Sequence, residues 1–180
     1  MIILGIDPGS INCGYGVIEY TNKKYRLIEY GVIKAKKISE DFPERLKAIH
    51  LKINEVIIRN NPDVAVFETI FYAKNIQSTI KLSHARSVAI LSASLSNVAI
   101  DEYSPMEVKK SVTGRGNASK EQVQFMVKKM LFIEETPELF DATDALAVAI
   151  CHCNNIGISS KKSKSWSDFI KDNPSKVIGK

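Results

Sequence analysis

The apolar positions of this chain follow two rhythms, first the short period of strands and then the longer period of helices. Ile2–Asp7 is an apolar run ending at Asp-Pro-Gly, the pattern of a strand entering a turn. Gly14–Tyr20 and Tyr25–Lys34 are rich in β-branched and aromatic residues. The polar pair Asn22-Lys23 lies between them and predicts a hairpin. Three strands with short links imply an antiparallel meander. The rhythm then changes. Leu46, Ile49, Ile53, Val56 and Ile57 recur at helical spacing, and Asn60-Asn61-Pro62 stops that helix. Val64–Phe67 is wholly apolar, too short for a helix, and closes on Glu68. Ser78–Leu95 has no Gly or Pro and reads as a helix whose many Ala and Ser residues would let another backbone come close. Asn97–Ile100 is the predicted fifth strand.

Capping chemistry marks the remaining helices. Ser104 and Glu107 form a capping box with Pro105 at the first helical position. The loop Thr113-Gly114-Arg115-Gly116-Asn117 follows. Ser119 and Gln122 make a second box that opens a helix through about Leu131, and Pro137 precedes a last helix over roughly Leu139–Cys153. The order β-β-β-α-β-α-β-α-α-α predicts an α/β fold. Its sheet is five-stranded and mixed, an antiparallel meander plus parallel strands, flanked by helices.

At 180 residues the chain is one domain's worth, and it can bury a core without disulfides or a structural metal. No apolar run reaches the roughly 18 residues that span a bilayer. The N-terminal MIILGIDPGS lacks a basic region and a cleavage site, so it reads as mature sequence. Three cysteines exclude a disulfide framework and fit a reducing cytoplasm. The net charge of +5 changes the picture more, because residues 158–180 hold six Lys and two Asp and so supply +4 of it. The expected organisation is a domain over 1–157 and a basic extension over 158–180. That extension is either a solubilising tail or one that holds a phosphate backbone.

The candidate chemistry is acidic. Asp7 ends the first strand and Glu68 the fourth, while Asp141 and Asp144 are three apart and share one helix face. Sites in α/β sheets gather at the carboxyl ends of strands. Four carboxylates meeting there would repel one another strongly unless a hard cation such as Mg2+ or Mn2+ joined them. The plainer reading makes Asp7 a turn residue, Glu68 a strand-end charge, and the helix pair an N-cap and a first-turn charge. The loop from Lys109 and Lys110 through Arg115 to Lys120 is basic and glycine-bearing. It is either a phosphate cradle or a solvated turn between helices. Phe71 and Tyr72, just past Glu68, are either a lid on the core or wedges that stack on unpaired bases. Cys151-His152-Cys153 looks like a metal motif, but helical positions i and i+2 point apart, so core packing is expected. His50 and His84 are expected to be partnered helix residues.

Four segments together carry a family resemblance. Asp7-Pro8-Gly9-Ser10 with Gly14-Tyr15-Gly16-Val17-Ile18, Glu68-Thr69-Ile70-Phe71-Tyr72-Ala73-Lys74-Asn75, Val112–Val123 and Asp141-Ala142-Thr143-Asp144-Ala145-Leu146-Ala147 stand in order over residues 1–155. Each resembles a block of the RuvC family of Holliday-junction resolvases. The resemblance implies an RNase H-like fold and a homodimer that nicks two opposed strands of a four-way DNA junction. Asp7, Glu68, Asp141 and Asp144 match its metal-binding acids, for two Mg2+ per subunit with Mn2+ able to substitute. Phe71 matches an aromatic side chain that inserts at the junction. Lys109 and Lys120 match basic residues near the scissile phosphate. Tyr72, Lys74, Lys110 and Arg115 lie in the same blocks and are expected to contact DNA. Cys13 stands where a Thr is usual, and Thr69 where an amide or acid is common.

The expected activity is a metal-dependent crossover junction endodeoxyribonuclease. It would leave 5′-phosphate and 3′-hydroxyl ends and work in the cytoplasm with a branch-migration helicase complex. Two other classes bear on this. An actin-like kinase also opens with Asp-x-Gly on a hairpin but needs two lobes. A junction binder without activity would lack at least one of the four carboxylates.

Overall fold

The computed structural model describes residues 1–70, 75–134 and 140–156. Phe71, Tyr72, Lys74, Pro137, Leu139 and the whole of 158–180 lie outside the described residues.

The meander forms as its pattern predicts, from β1 (Ile2–Asp7), β2 (Cys13–Thr21) and β3 (Lys24–Ile33). Asn22 and Lys23 both take positive φ, 53° and 61°, which gives a turn whose twist suits a two-residue hairpin. A single helical turn, α1 (Ala35–Ile38), follows without an apolar period to announce it. Helix α2 (Phe42–Asn60) starts before the first periodic apolar residue, because Asp41 accepts the Glu44 N–H and Pro43 sits in the first turn. It ends at Asn61, which adopts the left-handed conformation with φ 44°. Then come β4 (Val64–Glu68), α3 (Ile76–Leu95), β5 (Ala99–Tyr103), α4 (Pro105–Thr113), α5 (Lys120–Leu131) and α6 (Phe140–Asn155). Both capping boxes are present at α4 and α5.

The sheet order is β3-β2-β1-β4-β5. β1 pairs antiparallel with β2 and parallel with β4, and β4 pairs parallel with β5. This is the mixed five-stranded sheet that the element order implies. The fifth strand is displaced from its predicted place. Asn97 takes φ 56° in the turn out of α3, and the strand runs on through Asp101 and Glu102. Those two residues are exposed on an edge strand, so the apolar pattern that should reveal the strand stops too early.

Strand alternation sorts the core into two layers. Ile3, Ile18, Val64 and Val66 pack with Leu146 and Ile150 of α6. Leu4, Val17, Ala65 and Phe67 pack on the other face with α2 and α3. The small residues of α3 serve this second layer. Ala85, Ala89 and Ala93 are buried within the chain, so they do not offer a close-packed seam to a second copy. Helix α6 is buried on nearly every side from Ala142 to Cys153, which explains an apolar pattern with no polar face. It lies directly on the sheet because β1 and β2 carry glycine beneath it. A Cβ at Gly14 would collide with the Asp141 carbonyl, and one at Gly5 with the Ala145 carbonyl. Cys151 and Cys153 are buried free thiols with their pKa values pushed up by burial, to about 11 and about 12. No helix among the described residues is long and apolar enough to cross a membrane.

Candidate active site

The parallel pairing of β1 with β4 places two carboxylates side by side. Gly5 is opposite Val66 and Ile6 opposite Phe67, so Asp7 and Glu68 end neighbouring strands at the same edge of the sheet. The glycine-mediated contact brings the first turns of α6 against this edge, and with them Asp141 and Asp144. A cleft of about 240 Å3 opens there, lined among others by Asp7, Glu68, Thr69, Lys109, Lys120 and Asp144. Lys109 comes from α4. Lys120 is the first residue of α5, fixed by the Ser119 cap, whose N–H also donates to Gln122 Oε1 at 2.9 Å.

The electrostatics combine burial with crowding of negative charge. Burial, and then the charges of Asp144, Asp141 and Glu68, push the Asp7 carboxyl up to about 8, against a smaller opposing pull from Lys120. Glu68 is raised as well, by burial and then Asp144, while Lys120 and Lys109 pull it down. Lys120 Nζ donates to Asp144 Oδ2 at 2.7 Å. Burial disfavours its ammonium form, but this bond and the charges of Asp144, Asp7 and Asp141 together outweigh burial and raise its pKa.

The four acids share this neighbourhood without closing on a point. Among the described residues, no three His, Cys, Asp or Glu side chains stand close enough to hold a metal ion. Asp141 acts on Asp7 through its charge but does not line the cleft. Like charges keep apart, and Lys120 takes Asp144. The donor chemistry nonetheless suits a hard divalent cation, which binds carboxylate oxygens and would relieve the repulsion felt at Asp7.

Of the other sequence candidates, Lys110 is exposed on α4 and does not line this cleft. Arg115 faces a different cleft, with Phe125 and Met126. Phe71, Tyr72 and Lys74 fall outside the described residues. Cys13 is fully buried, with its thiol pushed up to about 12 by burial, and is a core residue. The histidines are partnered. His50 Nδ1 lies 2.8 Å from Ser92 Oγ, His84 meets Phe42 edge-on, and His152 Nδ1 lies 3.1 Å from the Tyr103 hydroxyl. Sequence reasoning missed Arg86, whose Nε donates to the Glu68 carbonyl at 3.3 Å. A long cation on an alanine-rich helix face was the available signal.

This geometry meets a consistent set of relatives. The family model described as "Crossover junction endodeoxyribonuclease RuvC" matches residues 3–152. The chain belongs to the RuvC family. It is 46% identical to the crossover junction endodeoxyribonuclease RuvC of Cytophaga hutchinsonii over 176 residues, 98% of this chain and 88% of that protein. Identity to the Chloroherpeton thalassium RuvC is 44%, covering 99% of this chain and all of that protein. The structure of Thermus thermophilus RuvC in complex with Holliday junction substrate superposes with a TM-score of 0.81 at 32% identity, covering 89% of this chain and 97% of that one. The architecture is therefore the RNase H-like fold of RuvC, with Asp7, Glu68 and Asp144 on the cleft at the carboxyl ends of β1 and β4.

Proposed function

We propose that this chain is a divalent-metal-dependent endonuclease that resolves four-way DNA junctions by paired, symmetric nicks. The observation that carries the reading is the gathering of Asp7, Glu68, Asp141 and Asp144 at one sheet edge, where burial and then the other three charges raise Asp7 to about 8, with Lys109 and Lys120 on the same cleft. Such an arrangement offers carboxylates to cations and lysines to phosphate.

Asp7, Glu68, Asp141 and Asp144 would hold two Mg2+, which Mn2+ can replace. Bound there, the metal supplies an activated water and charge stabilisation at the leaving 3′-oxygen, so that the ends are 5′-phosphate and 3′-hydroxyl. The protein's own part is electrostatic and positional. Asp7, whose carboxyl is raised by burial and by the charges of the other three, would be the ligand whose repulsion a bound cation relieves. Lys120 exchanges its contact with Asp144 for the non-bridging oxygen of the scissile phosphate and stabilises the charge that develops there. Lys109 supports the same phosphate from α4. Phe71 and Tyr72 serve as wedges at the branch point. Lys74, Lys110 and Arg115 contact the arms.

Two equivalent strands call for two active sites, so the working form is a homodimer. With Ala85, Ala89 and Ala93 committed to the core, the support for a seam shifts to the exposed Ile80, Leu91 and Leu95 of α3. The domain over 1–157 carries the chemistry, the 158–180 extension holds DNA, and a branch-migration helicase complex delivers the junction in the cytoplasm.

Amide substitution tests the assignment directly. Asp7→Asn, Glu68→Gln, Asp141→Asn and Asp144→Asn should each abolish cleavage and leave junction binding intact in a gel shift, because each removes a metal ligand and some repulsion of phosphate. Cleavage at the unmodified rate by any one of them removes that residue from the site.

A further inference from the structure

Glu68 reaches the cleft from the last position of β4, so its carboxylate is only as well placed as the main chain that carries it. That main chain is held from two sides. The Thr69 N–H donates to the Tyr103 carbonyl at 2.8 Å and prolongs the β4–β5 ladder by one bond. From α3, Arg86 Nε donates to the Glu68 carbonyl at 3.3 Å. The same guanidinium places Nη2 2.7 Å from Glu102 Oε1 on β5, and its central carbon lies 5.9 Å from the centre of the Phe67 ring. One largely buried arginine, 17% exposed, thus joins the carbonyl of Glu68, a carboxylate on the neighbouring strand and the ring that precedes Glu68.

Only a planar fork meets a carbonyl, a carboxylate and a ring face at once. A lysine ammonium is a point charge on a flexible stem and cannot. Burying a guanidinium is costly, and packing gives no reason for one here, where the adjoining α3 residues that face the core are Ala85 and Ala89. The fixed point is the peptide that carries Glu68.

We propose that Arg86 is a positioning residue for the Glu68 carboxylate, acting through the Glu68 main chain, and that Glu102 holds Arg86 in the pose that does so. This rests on the reading of Glu68 as a metal ligand. It separates two properties of the protein. Metal affinity and the saturated cleavage rate depend on Arg86, whereas junction affinity without metal does not, because neither Arg86 nor Glu102 lines the cleft.

The experiment uses the full chain and five variants, Arg86→Gln, Arg86→Lys, Glu102→Gln, Glu68→Gln and the double variant Arg86→Gln with Glu102→Gln. Each is measured for melting temperature, metal-free junction affinity, Mn2+ binding to the protein alone by electron paramagnetic resonance, and single-turnover cleavage at saturating protein and Mn2+. Arg86→Gln should weaken Mn2+ binding and slow the saturated rate by about 10–100-fold, the range for outer partners of metal ligands, with junction affinity unchanged. Arg86→Lys should recover part of the loss. Glu102→Gln should act in the same direction by less, and should add nothing in an Arg86→Gln background.

A purely structural clip would lower the melting temperature and leave the Mn2+ affinity of the folded protein alone, and that result overturns the proposal. So does Arg86→Gln with unchanged Mn2+ affinity and rate beside an inactive Glu68→Gln. If Arg86→Gln does not fold, Glu102→Gln decides by the same readouts, since its side chain is 43% exposed and its loss leaves the core intact. If Glu68→Gln itself binds Mn2+ and cleaves as the unmodified protein does, the assignment of Glu68 has failed, and the role of Arg86 fails with it.

Discussion

Asp7 concentrates the conflict in this fold. Its carboxyl is buried, it faces three other acids, and its pKa rises to about 8. A carboxyl that titrates higher in the folded chain than in the unfolded one favours folding most when protonated. The Asp7 contribution is therefore intact below about pH 4 and is lost as pH rises towards about 8. Asn has no proton to lose. In chelator at pH 8, Asp7→Asn should melt at least about 2–4 °C above the unmodified protein, the shift that ~1 kcal/mol produces in a chain of this size. Added Mg2+ should raise the melting temperature of the unmodified protein, because metal binding couples to the folded state, and should do little for the variant. A variant that melts lower in chelator would show that Asp7 stabilises the fold, contrary to its placement among like charges. The residue scale was also the most legible in sequence. Asp7 and Glu68 announce themselves because each closes an apolar strand, and Lys120 because it ends a basic, glycine-bearing loop. Arg86 was hidden because its partner is a main-chain carbonyl, which no side-chain motif encodes.

At the scale of elements, the meander, the capped helices and the parallel strand β4 were legible because local chemistry decides them. Turn residues at Asn22-Lys23 and the boxes at Ser104 and Ser119 act within four residues. Two features were not, because tertiary context decides them. β5 runs through Asp101 and Glu102 on an exposed edge, and the alanines of α3, whose small size would let another backbone come close, face α2 and the sheet of their own chain. The Cys151-His152-Cys153 segment, by contrast, is core as its helical spacing implied. That packing has a measurable consequence. Burial pushes the His152 ring below its usual pKa, with Asp101 pulling only partly the other way. A base depressed in the folded state is protonated more readily when unfolded. Its contribution is complete above the unfolded value of about 6.5 and is lost as pH falls through and below it. Between pH 7 and pH 5 the unmodified protein should therefore lose more stability to denaturant than His152→Gln does. Equal losses would mean that α6 and β5 tolerate a charged ring beside Tyr103.

At the scale of the whole molecule, charge is distributed unevenly, with +4 of the net +5 in residues 158–180 and +1 in the rest. Removing the chain beyond Gly157 should leave metal-dependent cleavage intact and reduce the salt dependence of junction binding. Each lysine–phosphate contact contributes about 0.9 to the log–log slope on duplex arms, so two or three contacts would change it by roughly two to three. The competing outcome is an unchanged slope with a lower melting temperature. It would make the extension a strap, with Trp166 and Phe169 as its apolar residues. That carboxylates at one sheet edge make this chain a junction resolvase is tested by nick mapping on a strand-labelled four-way junction. Paired nicks are expected at symmetric positions in two opposed strands, needing Mg2+ or Mn2+ and no ATP, sealed by ligase, and absent with Asp7→Asn. Unpaired nicks, equal cutting of linear duplex, or activity that survives Asp7→Asn would contradict it.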